Sequence, residues 1–164
     1  MNEGAMQERI VLCRTLDEIQ ALLERFHMAL PSLKRGKAFR AAMAEKFFQH
    51  GKVVFIPEDG RAVGFAAFYC NDHVERKGYL SMIAVYPDMQ GKGCGKELLT
   101  YVEHTAKDCG MRTVWLEVSK ANGSARSFYR KNGYVSVEMR PESMICAKKL
   151  ENASDEWTED THDV

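Results

Sequence analysis

A seven-residue stretch decides the fold of this chain: Gln90-Gly91-Lys92-Gly93-Cys94-Gly95-Lys96. It follows an apolar run at residues 79–86, typical of a β-strand, and precedes a helical pattern at residues 97–109. Three glycines in five positions remove the Cβ atoms that would hold a ligand away from the backbone. The amides of such a turn and the first N–H groups of the helix are positive and unpaired, so the stretch is suited to binding a pyrophosphate.

Two common phosphate-binding motifs do not fit this stretch. A Walker loop requires a glycine five positions before its Gly-Lys pair and a serine or threonine after the lysine. Here Gln90 and Glu97 occupy those positions. A dinucleotide-binding fingerprint that began at Gly91 would need a third glycine where Lys96 stands. The spacing that does fit is Gln/Arg-x-x-Gly-x-Gly/Ala, beginning at Gln90.

A second block begins about thirty residues downstream, after a β-rich run at residues 114–118. It reads Asn-Gly-Ser-Ala-Arg-Ser-Phe-Tyr at residues 122–129 and Asn-Gly-Tyr at residues 132–134. With both blocks in this order, the chain resembles the GCN5-related N-acetyltransferase superfamily. The second signature of that superfamily looks like a strand, Asn-x-x-Ala, a short helix carrying Phe-Tyr, and Asn-Gly before an aromatic residue. The close match covers residues 79–134.

The resemblance implies an α/β (α+β) fold with a mixed central β-sheet flanked by helices. Its element order is the β-α-α-β-β-β-α-β-α-β-β of the acyl-CoA N-acyltransferase (GNAT) fold, and hydrophobic periodicity and turn residues give the same order independently. Thr15 is expected to cap the first helix with Glu18 as its capping-box partner, and Pro31 to end it. The predicted strands occupy residues 9–13, 53–57, 62–69, 79–86, 113–118, 134–139 and 143–150. The predicted helices occupy residues 16–30, 39–51, 97–109 and 124–132.

The resemblance implies that the glycine-rich turn holds the pyrophosphate of acetyl-coenzyme A (acetyl-CoA), the co-substrate, without a metal. The strand before the turn would hold the pantetheine arm through its backbone, because neighbouring strands of the superfamily splay apart there. Cys94 is interpreted as a spacer, and Lys92 and Lys96 either screen phosphates or are solvated lysines. Asn122 either binds a pantetheine amide or caps the next helix, where Ser124 competes for the cap and would free it. The expected cofactor-binding residues are Ile83, Ala84, Val85, Gln90, Gly91, Lys92, Gly93, Cys94, Gly95, Lys96, Asn122 and Tyr129.

Two residues are candidates for catalysis. Tyr129 matches the tyrosine that lies beside the cofactor sulfur in the resembled enzymes and acts as general acid; the alternative is a core aromatic next to Phe128. Glu117 interrupts an apolar strand and shares one face with Trp115. The ribosomal-protein alanine N-acetyltransferases look similar here, with a Leu-Glu-Val strand whose glutamate, twelve residues before the tyrosine, is the base. Glu117 also precedes Tyr129 by twelve residues, although it could instead be structural, with ordered water removing the proton.

The resemblance implies an N-acetyltransferase in which a primary amine attacks directly in a ternary complex. The acceptor is a protein or peptide N-terminus, a lysine or a small-molecule amine, and the sequence does not name it. A basic link at residues 32–37, with Arg40 just after it, either favours an acceptor with nearby negative charge or is an exposed loop. The alternative function is a non-catalytic coenzyme A-binding sensor or structural subunit, which would need neither Tyr129 nor Glu117.

The amino-acid composition limits the number of domains, the kind of ligand and the cellular location that we expect. The 164 residues are most simply one domain at residues 1–150 and an acidic, flexible tail at residues 151–164. The tail holds six acids and no Lys or Arg, so the first 150 residues carry 23 basic and 17 acidic side chains. Their net charge of +6 suits an anionic ligand better than nucleic acid. Five scattered cysteines disfavour a disulfide framework or a zinc site. Without a signal-peptide pattern or a bilayer-long apolar run, we expect a cytoplasmic monomer or homodimer with no membrane partner.

Overall fold

The computed structural model describes residues 9–151, so of the predicted acidic tail only Glu151 lies within the described residues. This part of the chain forms seven strands and four helices. The strands are β1 (Val11–Leu12), β2 (Lys52–Glu58), β3 (Arg61–Asp72), β4 (Lys77–Val85), β5 (Thr113–Ser119), β6 (Val135–Met139) and β7 (Ser143–Lys149). The helices are α1 (Leu16–Phe26), α2 (Lys37–His50), α3 (Cys94–Asp108) and α4 (Gly123–Lys131), with 3₁₀ turns at Pro31–Arg35 and Pro87–Met89.

The strands form one mixed sheet in the order β1-β2-β3-β4-β5-β7-β6. Neighbouring strands are antiparallel except for β4 and β5, which are parallel and are connected through α3. A parallel pair needs a crossover connection of this kind, whereas antiparallel neighbours can be joined by tight turns. The predicted element order and the mixed sheet are therefore confirmed.

Helices cover both faces of the central strands. On one face α1 and α2 enclose a cluster that includes the fully buried Phe26, Phe47 and Phe65. On the other face α3 and α4 pack over a second cluster that includes Phe68 and Leu98. Strand β3 is buried on both faces along its middle, which explains why its sequence is an apolar run and does not alternate.

The first helix begins as predicted and ends earlier. The Thr15 hydroxyl accepts a hydrogen bond from the Glu18 N–H, and the Glu18 carboxylate accepts one from the Thr15 N–H, which completes the predicted capping box. The helix ends at Phe26, however, and Leu30 is extended (φ −122°, ψ 120°). A residue that precedes proline is pushed out of the helical region by the proline ring, so Leu30 could not continue the helix into Pro31.

Residues 9–151 contain neither a helix that could span a membrane nor a cluster of metal ligands. None of the helices there combines the length and the apolar character that crossing a bilayer requires. The same residues contain no group of three or more His, Cys, Asp or Glu side chains placed to hold a metal ion.

Candidate active site

The parallel strands β4 and β5 separate part-way along their length. Their ladder ends at the pair formed by Leu80 and Leu116. Strand β4 has a bulge where it pairs with β3. Its extra residue is Ser81, which lies between the two β4 residues that pair with Ala67 and Phe68 of β3. Such a bulge bends the strand and increases its twist, so β4 turns away from β5 beyond this point. A cleft therefore opens between the carboxyl ends of the two strands.

The edge of β4 that faces this cleft contains three of the predicted cofactor-binding residues. Ile83, Ala84 and Val85 pair with β3 on their other side, and within the described chain no strand pairs with them on the cleft side. Backbone N–H and C=O groups on an unpaired strand edge are available for hydrogen bonds. An extended pantetheine arm could bind there as an additional strand would, and this role stays a prediction.

The glycine-rich turn lies at the N-terminal end of α3. Gly91 (φ +80°) and Gly93 (φ +86°) have left-handed backbone conformations, and a Cβ added at either would meet no atom within 4 Å. Because Gly93 is the N-cap, α3 begins at Cys94, earlier than the predicted Glu97. The Glu97 N–H donates to the Gly93 carbonyl at 3.0 Å, so the N–H groups of residues 94–96 have no acceptor within the helix. The turn thus combines open space with free donors, as a bound pyrophosphate requires.

Two residues at the start of α3 differ in role from Gly91 and Gly93. Gly95 lies in the helix, and a Cβ added there would be 3.4 Å from Cζ of Phe128. This is an ordinary van der Waals distance, so a Cβ at Gly95 would contact the Phe128 ring of α4. The role of Gly95 in cofactor binding stays a prediction. Cys94 is buried in the core, and burial raises the pKa of its thiol. Its side chain therefore packs in the protein interior, in agreement with its interpretation as a spacer.

The polar side chains of the turn surround its open side. Gln90 donates from Nε2 to the Val85 carbonyl at 3.1 Å, which fastens the turn to the end of β4. Lys92 and Lys96 are both exposed, and the Lys92 ammonium contacts Met89 Sδ at 3.9 Å. Both lysines are placed where they could screen phosphates, and that role stays a prediction.

Of the two residues that compete for the cap of α4, Asn122 is the one that provides it. Asn122 is the N-cap residue, and its Oδ1 accepts a hydrogen bond from the Ala125 N–H at 3.1 Å. Ser124 follows Gly123 inside the first turn, where its side chain cannot cap the helix end. The side-chain oxygen of Asn122 is therefore committed to the helix, which leaves its amide nitrogen to donate to a ligand.

Tyr129 lies on the buried side of α4. It is 8% exposed, and its ring centroid is 5.3 Å from that of Phe128 and 5.7 Å from that of Tyr134. Burial, with a smaller contribution from Cys146, raises the pKa of its hydroxyl to about 12. Cys146 pairs with Leu116 across β5 and β7, and Leu116 is the last β5 residue that pairs with β4. Tyr129 is thus close to the point where the cleft opens, and its hydroxyl is protonated at neutral pH.

Glu117 is the first residue of β5 beyond the end of the ladder with β4. It lies on the same, less buried face of the strand as Trp115, as predicted. Its side chain is 37% exposed, and its Oε2 accepts hydrogen bonds from Arg140 Nη1 at 2.7 Å and from Ser143 Oγ at 3.1 Å. The carboxylate is both paired and hydrated, so it avoids the cost of an isolated charge on an apolar strand.

Comparisons with known proteins agree with this geometry. Residues 16–134, which are more than half of the chain, match the Acetyltransferase (GNAT) family. The chain belongs to this family. A ribosomal protein bS18-alanine N-acetyltransferase from Haemophilus influenzae is 39% identical over 83 residues, which are 51% of this chain and 54% of that protein. The enzyme of the same description from Escherichia coli K12 is 33% identical over 92 residues, 50% of this chain and 62% of that protein.

Solved structures of GNAT proteins share the fold. The crystal structure of the E. coli ribosomal-protein-S18-alanine N-acetyltransferase superposes with a TM-score of 0.69, at 19% identity, over 91% of this chain and 99% of that one. An N-acetyltransferase from Thermoplasma acidophilum in complex with coenzyme A superposes with a TM-score of 0.68, at 20% identity, over 85% of this chain and 98% of that one. The matched region spans only about half the length of the first of the curated sequence relatives.

Sequence reasoning missed the partners of Glu117 in this GNAT site. Arg140 lies in the turn between β6 and β7, and Ser143 is the first residue of β7. Arg140 also lies 3.7 Å from the carboxylate of Glu138. Arg140 and Ser143 meet Glu117 because the register of β7 places Ile145 opposite it. The sequence indicated a turn at these residues, but a turn signal does not reveal the register of the strand that follows.

A groove of about 460 Å³ lies on another side of α4, between this helix and the strands β6 and β7. Its lining includes Arg126, Arg130, Ser136 and Tyr129. Of the residues predicted for the site, Tyr129 alone is part of this lining. The other residues predicted for the site lie outside the lining of this groove.

Proposed function

We propose that the protein is an acetyl-CoA-dependent N-acetyltransferase in which a primary amine attacks directly in a ternary complex. The proposal rests on one observation, namely that three features lie together at one cleft. These features are the separation of β4 from β5, the open left-handed glycines before α3, and the protonated Tyr129 beside the point of separation.

The residues of the cleft fit acetyl-CoA as co-substrate. The N–H groups of residues 94–96 and the open space beside Gly91 and Gly93 suit a pyrophosphate. The free edge of β4 suits the two amides of a pantetheine arm, which can hydrogen-bond as a strand does. When bound, acetyl-CoA supplies an acetyl group on a thioester.

Tyr129 is proposed as the general acid. A group serves as an acid only while it holds its proton, and a pKa of about 12 keeps the Tyr129 hydroxyl protonated throughout the neutral range. From Oη it would donate that proton to the sulfur that leaves. The same burial that raises the pKa excludes water around the hydroxyl, which strengthens its hydrogen bonds.

Glu117 is proposed as the general base, with ordered water as the alternative. A lysine side chain is neutral only about once in 2,500 molecules at pH 7, a cost of about 4.6 kcal/mol, whereas an α-amino group pays about 1.4 kcal/mol. Help with proton removal therefore matters for both acceptors and more for lysine. Because Arg140 and Ser143 both bind Oε2, the other carboxylate oxygen is the one available to an incoming ammonium.

The acceptor that we propose to test first is a protein N-terminus that begins with alanine, since two of the curated relatives are bS18-alanine N-acetyltransferases. The basic link between α1 and α2 indicates less about the charge of the acceptor than its sequence suggested. Arg40 is bound to Glu24 at 2.7 Å and to the Leu33 carbonyl, and Arg35 lies over the Phe39 ring. Fewer of its charges are thus left for an anionic acceptor.

A panel of acceptors tests the proposal. Release of free thiol from acetyl-CoA would be followed with a peptide that begins with alanine, the same peptide with a blocked N-terminus and an internal lysine, and small primary amines. Mass spectrometry would locate the acetyl group. We expect turnover with at least one amine, and tight binding of acetyl-CoA without turnover on any acceptor would favour the coenzyme A-binding sensor instead.

Replacing Glu117 by glutamine distinguishes the two accounts of proton removal. If the carboxylate is the base, Glu117→Gln should remove the low-pH limb of the kcat/KM profile, and raising the pH should partly restore the rate because the amine then loses its proton unaided. The loss should be larger for lysine than for an α-amine, since lysine pays about 3 kcal/mol more to become neutral at pH 7.

The control for this variant is Glu138→Gln, which removes the more distant carboxylate from the same Arg140 guanidinium. It should leave the shape of the profile unchanged. If Glu117→Gln lowers kcat/KM by the same factor at every pH, the result would count against the base role. It would favour ordered water.

We also propose that the protein works in the cytoplasm. Its five cysteines are all free, which suits a reducing compartment. Assembly as a monomer or homodimer remains part of the proposal, and sedimentation of the purified chain would distinguish the two states.

A further inference from the structure

A buried carboxylate lies in the first turn of α3, the helix whose N-terminal end belongs to the predicted pyrophosphate site. Among the described residues, Glu97 is the one charged residue that is buried, with a side chain 10% exposed. A negative charge at a helix N-terminus is favourable to the helix, but here it competes with an anionic ligand for the same positive end. The site therefore needs a counter-charge if it is to hold a pyrophosphate.

Arg9 supplies that counter-charge from a distant part of the chain. Its Nε lies 3.2 Å from Glu97 Oε2, its Nη2 lies 3.8 Å from Glu58 Oε2, and the same Nη2 donates to Cys94 Sγ at 3.5 Å. The Oε2 atoms of both glutamates are buried without a hydrogen-bond partner in the described part of the chain. The Arg9 ion pairs are thus the contacts that offset these charges, and they join the end of β2 to the first turn of α3.

We propose that Arg9 is a positioning residue of the cofactor site, which neutralises Glu97 so that the N-terminal end of α3 stays attractive to a pyrophosphate. This inference rests on the proposed function, because it assumes that the glycine-rich turn binds acetyl-CoA. Like charges repel more strongly near protein than in bulk water, so an unpaired Glu97 would weaken the binding of an anionic ligand measurably. A purely structural Arg9 would join β2 to α3 without this electrostatic effect.

The test is calorimetric titration of coenzyme A into variants. We expect Arg9→Met to weaken binding about tenfold or more, because the charge of the buried Glu97 carboxylate is then no longer neutralised. Arg9→Met combined with Glu97→Gln should bind within about threefold of wild type, because the opposing charge is gone. Arg9→Lys should also bind within that range, since it keeps the positive charge. Arg14→Met removes an exposed arginine from the same segment and should change nothing.

Two further measurements separate the electrostatic role from a structural one. KM for S-acetylpantetheine, which lacks the pyrophosphate, should be the same in Arg9→Met and wild type, while KM for acetyl-CoA rises. Glu97→Gln alone should bind coenzyme A as tightly as wild type or more tightly, and it provides a test even if Arg9→Met does not fold. Equal losses with both thioesters, no rescue by the double variant, or weaker binding in Glu97→Gln would each overturn the proposal.

Failure of this inference is distinguishable from failure of the proposed function. If wild-type protein does not bind coenzyme A at all, the proposed function fails before the variants are compared. If wild type binds and Arg9→Met binds equally well, the cofactor site stands and the role of Arg9 is rejected.

Discussion

Replacing Tyr129 by phenylalanine is expected to lower kcat by roughly 10²–10⁴, the range for losing a positioned general acid, while affinity for acetyl-CoA changes little. The substitution removes only the hydroxyl, so the ring keeps its contacts with Phe128 and Tyr134. The measurement is steady-state kinetics together with calorimetric titration of coenzyme A. Turnover within about threefold of wild type would mean that the thiolate leaves unaided and that Tyr129 is a core aromatic.

The neighbouring tyrosine provides the matched control. Tyr134 is also buried, but its hydroxyl donates to Glu103 at 2.9 Å and lies in a network with Lys148 that is separate from the cleft. Tyr134→Phe should therefore reduce stability and leave kcat nearly unchanged. The pKa of about 12 for Tyr129 adds a second expectation. Loss of its proton should not reduce the rate until the pH approaches about 11, about two units above the pH at which an ordinary tyrosine begins to lose its proton.

Replacing Gly93 by glutamate is expected to abolish acetyl-CoA binding while most of the fold survives. Its φ of +86° is unfavourable for any residue with a Cβ, and the new side chain would enter the open space of the turn with a charge of the same sign as the phosphates. Binding should fall below detection by calorimetry, and circular dichroism should report a folded protein. An unchanged affinity would show that the turn is not the pyrophosphate site.

Gly110 offers a control with the same backbone conformation. It also has a φ of +86°, and it lies beyond the opposite end of α3. Gly110→Glu should cost similar backbone strain, with its side chain near the guanidinium of Arg76 and far from the turn. Coenzyme A affinity should be retained in this variant, so the comparison separates strain from loss of the phosphate site.

The sequence predicted the fold well because the decisive signals are local. The capping box at Thr15 and the apolar runs of the strands each depend on a few neighbouring residues, and together they predicted the observed element order. The differences arise where tertiary context decides. Gly93 caps α3 and moves its start to Cys94, and Asn122 takes the cap for which Ser124 competed.

The candidate site was less predictable because its geometry depends on contacts between distant segments. Its glycines and Tyr129 belong to contiguous motifs, which sequence reasoning recognised. The bulge at Ser81 depends on the register of β4 against β3, and the pairing of Glu117 with Arg140 depends on the register of β7. The contact of Arg9 with Glu97 joins residues 88 positions apart, which no local pattern reveals.

The most direct test of the central claim is a crystal structure of the protein with coenzyme A. We expect phosphate oxygens within hydrogen-bond distance of the N–H groups of residues 94–96. We also expect the pantetheine arm along Ile83–Val85 and the sulfur beside the Tyr129 hydroxyl. Coenzyme A bound in the groove between α4 and the strands β6 and β7, with the β4–β5 cleft empty, would contradict it.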